Sequence, residues 1–344
     1  MKRTIISIIS IICCTCFILV ALVSWKAAEP PPESKTVAIQ GAIGKGFAIL
    51  QSSGATMIAK SRCASCHHST MTAMVASALT KKDIAFTDTT AVMREMAMVG
   101  TLDFVCNPNL NNQFVSAKFL SPYVLLGLHA AAHPADFSTD IAVDYLISQA
   151  LPGGNFKAEY ARVPLESGDI HLTAISIRAI DLYASPAKKT SLQQMVNKSR
   201  QWMEKQDPSM QQELAFKLMG LAWCGSDAAT KAAAAAKLIA MQNNDGGWSQ
   251  LPTMTSDAYA TGQALYALAE SGTADVNGAV YQKGVDYLLR TQDNSGAWLL
   301  VTRANPIQPF VNTEFPPFDD NQFISAAASN WALLALAEAL PAKK

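Results

Sequence analysis

Apolar residues in this chain recur three and four positions apart over runs of ten to seventeen residues, and short polar turns separate the runs. That spacing predicts helices from Ala48 to Arg62, Thr70 to Thr80, Thr89 to Met98, Ser121 to Ala132 and Ser138 to Ala150. It predicts further helices over Asp169 to Tyr183, Ser191 to Lys205, Met210 to Trp223, Ala228 to Gln242, Ser256 to Ser271, Tyr281 to Thr291 and Ser325 to Leu340. In the second of these the apolar face is Met71, Met74, Val75 and Leu79. Pro122 falls in the first turn of the predicted Ser121 helix, where its missing N–H costs nothing. The alanine-rich run Lys231 to Ala240 points the same way, to an all-α chain.

The turns repeat as well as the helices. Gln242, Gly246 and Trp248 recur at the same spacing as Gln292, Gly296 and Trp298, and Gln149 to Phe156 is a worn copy. The glycine supplies a backbone angle that a Cβ would penalise, and ends the helix. The glutamine can bond backbone groups left open at the helix end, and the tryptophan seals the turn with apolar area. Helices such as Thr173-Ala-Ile-Ser-Ile-Arg-Ala-Ile and Thr261-Gly-Gln-Ala-Leu-Tyr-Ala-Leu echo one another at intervals of about 45 residues. Hairpins that cannot bury a face alone are expected to stack, here five or six of them.

This Gln-x-x-x-Gly-x-Trp element resembles the QW repeat of squalene–hopene and oxidosqualene cyclases, whose α/α toroid is shared with protein prenyltransferase β subunits. The resemblance implies an all-α ring over residues 46–342, with inner helices lining a central cavity and their N-terminal ends meeting at one mouth. It implies little about reaction, because the repeat stabilises a scaffold. An insertion over 299–322, rich in proline and aromatic residues, is expected to be a lid or site loop.

Composition narrows the setting. Of 344 residues half are apolar, 16% are charged and the net charge is zero, so no basic surface points to nucleic acid. Lys2 and Arg3 precede an apolar run from Ile5 to Val23, read as a signal peptide or an uncleaved transmembrane anchor over 1–28. Cys13, Cys14 and Cys16 lie inside it as apolar filler, without a lipoprotein cleavage box. A Pro/Gly-rich linker is expected over 29–45. The body is then exported, periplasmic or anchored in the membrane facing the periplasm, where disulfides persist.

Cys63-x-x-Cys66-His67 is the sharpest chemical motif. In an exported chain it reads as an attachment site for haem c, with two thioether bonds and His67 on the iron. Two alternatives stay open: a Cys63–Cys66 disulfide that staples the first hairpin, and a zinc site using His67 or His68. Candidate axial partners are Met71, Met74, His129, His133 and His171.

The Cys-x-x-Cys-His-His start, the repeats, and Asn305-Pro-Ile-Gln-Pro ahead of Gln322-Phe-Ile-Ser-Ala-Ala-Ala-Ser-Asn-Trp together resemble a group of exported bacterial squalene cyclase-like proteins. That resemblance covers residues 50–340 and implies that motif and toroid belong together. The chain departs from the cyclases in two ways. It has no Asp-x-Asp-Asp acid motif, with Pro317 standing where the first aspartate would precede Asp319-Asp320, and it is half the length expected of a two-domain cyclase. Polyene cyclisation is therefore disfavoured. Cys224 follows Trp223 as the zinc cysteine does in lanthionine cyclases, but reads as a small buried residue, and Cys106 as its possible partner or as free.

The leading expectation is a haem-bearing ligand-binding or electron-transfer toroid with a redox partner protein. The alternative is an enzyme that acts on an apolar, isoprenoid-like small molecule inside the ring, with Asp257, His171 or Asp320 as acid or base. Asp257 and Asp169 also suit plain N-capping of helices. A third reading is a non-catalytic scaffold that binds protein or glycan.

Overall fold

Alternate helices of this chain are apolar around nearly their whole circumference, whereas those between them are apolar along one stripe only. The first kind must be surrounded by protein and the second must face water on one side. A computed structural model describes residues 33–106, 117–159, 162–304 and 311–341 and shows how both demands are met. The first hairpin is α1 (Glu33–Ser61) and α2 (Met71–Lys81), and the second is α3 (Ala91–Val105) and α4 (Ala117–Ala130). The third is α5 (Phe137–Gln149) and α6 (Asp169–Tyr183), and the fourth α7 (Lys189–Lys205) and α8 (Gln211–Trp223). The last two are α9 (Ala228–Ile239) with α10 (Ala258–Glu270), and α11 (Ala279–Thr291) with α12 (Gln322–Glu338).

The even-numbered helices form the inner layer. Each packs on the next, α2 on α4, α4 on α6, α6 on α8, α8 on α10 and α10 on α12, and α12 returns to α2. The ring is therefore closed, an all-α toroid of six hairpins among the described residues, with the odd-numbered helices outside. Isolated bridges, Arg162 with Glu166 and Trp248 with Asp257, are its only extended pairings among the described residues.

The repeated turns are built alike. Gln242 Nε2 donates to Gly246 O and, across to α11, to Val280 O, each at 2.9 Å. Gln292 Nε2 donates to Gly296 O and, across to α1, to Ala42 O, again each at 2.9 Å. Trp248 Nε1 donates to Leu238 O and Trp298 Nε1 to Leu288 O, so each indole closes over the helix it follows. Gly246 and Gly296 sit at φ 88° and 92°, and a Cβ on either would meet the backbone of the next outer helix, at Lys283 or at Lys45. The worn copy keeps this geometry. Phe156 N donates to Thr173 Oγ1, as Trp248 N does to Thr261 Oγ1 and Trp298 N to Ser329 Oγ. Its aromatic residue and its hydroxyl on the next inner helix survive where the tryptophan does not.

The structure corrects the reading of 29–45 as a linker: from Glu33 onward this stretch is the first half of α1. Its glycines are not all signs of flexibility. A Cβ on Gly46 would stand 3.0 Å from Leu333 Cδ2 and 3.2 Å from Gly296 O, so a bare backbone lets α1 lie against α12. Pro122 lies inside α4, which starts at Ala117, not in its first turn. No described helix is long and apolar enough to cross a membrane. The apolar run Ile5 to Val23, with Cys13, Cys14 and Cys16, and the segment Asn305-Pro-Ile-Gln-Pro lie outside the described residues.

Candidate functional site

Between α1 and α2 the chain makes a single π-helical turn, Cys66–Thr70. Thr70 N reaches back five residues to Ser65 O at 3.1 Å, and Thr70 Oγ1 bonds Cys66 O at 2.7 Å. Ser65 Oγ caps the turn by accepting from His68 N at 3.0 Å. Wide turns of this kind re-aim side chains, and here both His67 and His68 are buried. Their Nδ1 atoms approach to 2.5 Å, one imidazole donating and the other accepting. Burial holds the pKa of both well below the usual histidine value, that of His68 at about 3, so both are neutral at physiological pH. Phe323 lies 5.0 Å from the His67 ring, and Phe315, from the described part of the 299–322 insertion, 5.9 Å from the His68 ring. His68 Nε2 has no hydrogen-bond partner among the described residues.

Cys63 is half-buried, Cys66 buried, and both are free, as are Cys106 and Cys224, which do not pair with each other. The Cys63–Cys66 staple is thus not formed. Burial, and then the charge of Glu166, pushes the Cys66 thiol up to about 12, so it is not a thiolate. Among the described residues no three or more His, Cys, Asp or Glu side chains converge to hold a metal, and His67 and His68 have no third such partner.

A second cluster centres on His171, in the first turn of α6. Its Nδ1–H donates to Ser167 O at 3.2 Å, and since a carbonyl only accepts, Nε2 is the acceptor. Tyr123 Oη, from α4, donates to that Nε2 at 2.9 Å. Phe216 of α8 stacks on the imidazole, with centroids 3.8 Å apart and planes at 20°. Burial lowers the His171 pKa to about 3. Gln212 links this cluster to α10: its Nε2 donates to Pro164 O at 2.8 Å and its Oε1 accepts from Tyr259 Oη at 2.8 Å.

Asp257 caps α10, with Oδ1 accepting from Ala260 N at 2.8 Å and Oδ2 from Gln250 Nε2 at 3.1 Å. Burial lifts its carboxyl to about 6 against the pull of those bonds. Gln250 Oε1 in turn accepts from Arg303 Nε at 2.7 Å, which ties the insertion to this helix end. Asp169 is pinned outside by Lys157 Nζ, and Asp320 is exposed in the turn before α12. Of the other proposed axial partners, His129 is exposed and His133 is held by Glu95 and Asp136 on the outer side.

The clusters meet at one end of the ring. Glu166 and Arg162 lie within electrostatic range of Cys66, Glu166 and Cys66 within range of Tyr123, and Cys66 and Asp257 within range of Tyr259. Arg162 and Glu166 form a bidentate pair, with Nε to Oε2 at 2.6 Å, on the short bridge that precedes α6. Tyr123, Gln212 and Glu213 were not singled out by the sequence reading. Burial pushes the Glu213 carboxyl up to about 7, against the pull of the backbone N–H groups of Ile170 and His171 at the start of α6. The available signal was the polar run Gln211-Gln212-Glu213 opening an otherwise apolar inner helix.

No protein-family model matches the chain, and neither does any curated protein. Solved structures do. The type II terpene cyclase MstE from Scytonema superposes with a TM-score of 0.57 at 15% identity, over 89% of this chain and 99% of that one. A variant of that cyclase, in complex with geranylgeranyl dihydroxybenzoate as substrate, gives 0.56 at 14% identity, over 90% and 99%. A protein from Actinoplanes gives 0.60 at 16% identity, over 88% and 100%. At such identities the likeness is one of fold: this chain has a terpene cyclase-like toroid.

Proposed function

We propose that this protein is an exported toroid that binds an apolar, isoprenoid-like molecule at the mouth of its inner ring. The observation that carries this reading is the make-up of that mouth. Phe119 and Phe216 pack on His171, Phe323 packs on His67 and Ile170 precedes His171 on α6, while Tyr123, Tyr259, Arg162 and Glu166 bring a few polar groups close by. Small-molecule sites combine these two features. The isoprenoid substrate of the Scytonema cyclase supports the choice of ligand class.

Asp257 is the acid–base candidate within this reading, since its buried carboxyl titrates near about 6. His171 positions the Tyr123 phenol, and Asp320 stays outside the chemistry because it is exposed. Squalene–hopene-type cyclisation is not part of the reading, because no Asp-x-Asp-Asp motif is present. The apolar run Ile5 to Val23 behind Lys2 and Arg3 supports export in this reading, with the ring in the periplasm, free or anchored to the membrane.

The test is solvent extraction of the purified protein with mass spectrometry of what is released, together with binding of geranylgeraniol. Recovery of a polyisoprenoid, and binding weakened more than about tenfold by Ile170→Trp in the mouth, is expected. An empty extract with no geranylgeraniol binding would reject the reading.

A second reading is a covalent haem at Cys63 and Cys66 with His67 on the iron, which would make the ring a redox protein with a protein partner. The Cys63-x-x-Cys66-His67 spacing carries it, because two thiols would form the thioethers and the adjacent imidazole would reach the iron. The packing opposes it: Phe323 and His68 enclose the His67 ring, and a porphyrin would have to displace them. A pyridine haemochrome spectrum of protein matured with its own leader decides. A signal lost in Cys66→Ala establishes the haem, and no signal removes it.

A further inference from the structure

Besides His68 Nε2, several buried polar atoms of the inner helices α8, α10 and α12 stand without a hydrogen-bond partner among the described residues. Four of them are both amide atoms of Gln263 on α10, Nε1 of Trp331 on α12 and Oε1 of Gln211 on α8. All three residues are at least 98% buried. Leaving such groups unpaired is costly, so native proteins rarely do it without a ligand or an ordered water.

The three come from successive inner helices, α8, α10 and α12, that pack on one another. Gln263 and Trp331 turn their N–H groups toward the Tyr259 hydroxyl, which gives its own hydrogen to Gln212 Oε1, but neither reaches it at hydrogen-bond length. Gln211 Nε2 donates to Ala260 O at 3.0 Å, on the turn of α10 that leads to Gln263, which leaves its own Oε1 free to accept. Trp331 meets Phe216 edge-on at 6.0 Å, and Phe216 stacks on His171, so the polar group is set in an aromatic wall. α10 and α12 touch closely here, since a Cβ on Gly262 would stand 2.5 Å from the Trp331 carbonyl carbon.

The donor and acceptor inventory defines the guest. Trp331 offers one N–H, the Gln263 amide offers N–H groups and an oxygen, and Gln211 offers an oxygen. A group that both accepts and donates satisfies this set, and no charged side chain is among these three residues to match an ion. Resting on the reading that the ring holds an apolar molecule, we propose that Gln263, Trp331 and Gln211 form a recognition site for a neutral hydroxyl on that molecule. The ligand is then an isoprenoid alcohol or prenylated phenol, not a hydrocarbon.

The test compares two probes on the full-length protein by titration calorimetry in detergent: geranylgeraniol, and the hydrocarbon with the same chain and hydrogen in place of the hydroxyl. The alcohol is expected to bind about tenfold tighter or better. Gln263→Leu and, independently, Trp331→Phe are expected to shrink that ratio while hydrocarbon binding persists. Trp331→Phe keeps an aromatic side chain and serves if Gln263→Leu fails to fold. Equal binding of the two probes to the parent overturns the hydroxyl site and leaves the apolar-ligand reading standing. So does a crystal structure in which ordered waters stay on Gln263 and Trp331 with geranylgeraniol bound elsewhere. Failure of both probes to bind overturns both.

Discussion

Asn330, on the last helix, donates through Nδ2 to the main-chain carbonyl of His67 at 2.8 Å, across 263 residues of sequence. The same nitrogen bonds Ala326 O, and Oδ1 accepts from Thr72 Oγ1 at 3.3 Å. One buried amide thus ties α12 to the turn that carries both histidines and to the start of α2. Asn330→Leu is expected to destabilise the protein by about 2–3 kcal/mol, because the His67 carbonyl is left unpaired inside the ring. Chemical denaturation measures this, and a change below a few tenths of a kcal/mol would remove the amide from the seam.

Three imidazoles, those of His67, His68 and His171, are buried and neutral. Their folded-state pKa values are depressed, so below about pH 6.5 the unfolded chain takes up protons that the native ring refuses. Each contributes stability that is present above its unfolded pKa and is lost as pH falls, by about 1.4 kcal/mol per pH unit once the unfolded histidine is fully protonated. Asp257 and Glu213 act in the opposite sense: their pKa values are raised to about 6 and about 7, so they add stability as pH falls through those values. His171→Gln should therefore flatten the acid limb of a stability–pH curve between about pH 6 and 4. An unchanged slope would mean that His171 protonates in the native state.

Replacing Tyr123 by phenylalanine removes the only hydroxyl that bonds His171 Nε2 among the described residues. A loss of about 1–2 kcal/mol follows from leaving that nitrogen unpaired. Nitrogen NMR of the parent should show His171 as the Nδ1–H tautomer, and a proton on Nε2 would reverse the direction of the Tyr123 bond.

In a chain beginning at residue 33, a thiol reagent should label Cys63 first, since Cys66, Cys106 and Cys224 are buried and burial lifts all three thiol pKa values. Alkylation followed by peptide mass spectrometry reads this out. Rapid labelling of Cys66 in the native state would show that the π-turn opens.

Truncation separates α1 from what precedes it. A chain beginning at residue 33 should fold with its ring intact. One beginning at residue 46 should lose much of its stability, because Gln292 Nε2 bonds Ala42 O and the Gly296 turn packs on Lys45. Thermal melts of the two, run side by side, are the measurement.

Helices, their order and the ring were legible in the sequence because each rests on local spacing. Gln242, Gly246 and Trp248 announce a turn, and Asp169 to Tyr183 is read to the residue. What was illegible depends on pairings far apart in the chain. Residues 33–45 read as a linker because glycine near proline usually marks one, and only α12 and the Gly296 turn explain the bare backbone at Gly46. The candidate site was half visible. His171 and Asp257 stood out as polar residues opening apolar helices, but Tyr123 gave no such cue. Its role exists only because α4 lies beside α6.

The seam between the first and last hairpins also sets an order of events. α1 and the π-turn find partners in α12, which is made after every other helix among the described residues. Until then the first hairpin waits with an apolar flank uncovered, and closure over so long a separation in sequence is slow. Moving the chain ends to another hairpin loop by circular permutation would turn this contact into a neighbouring one. A faster-folding protein with the same ring would follow.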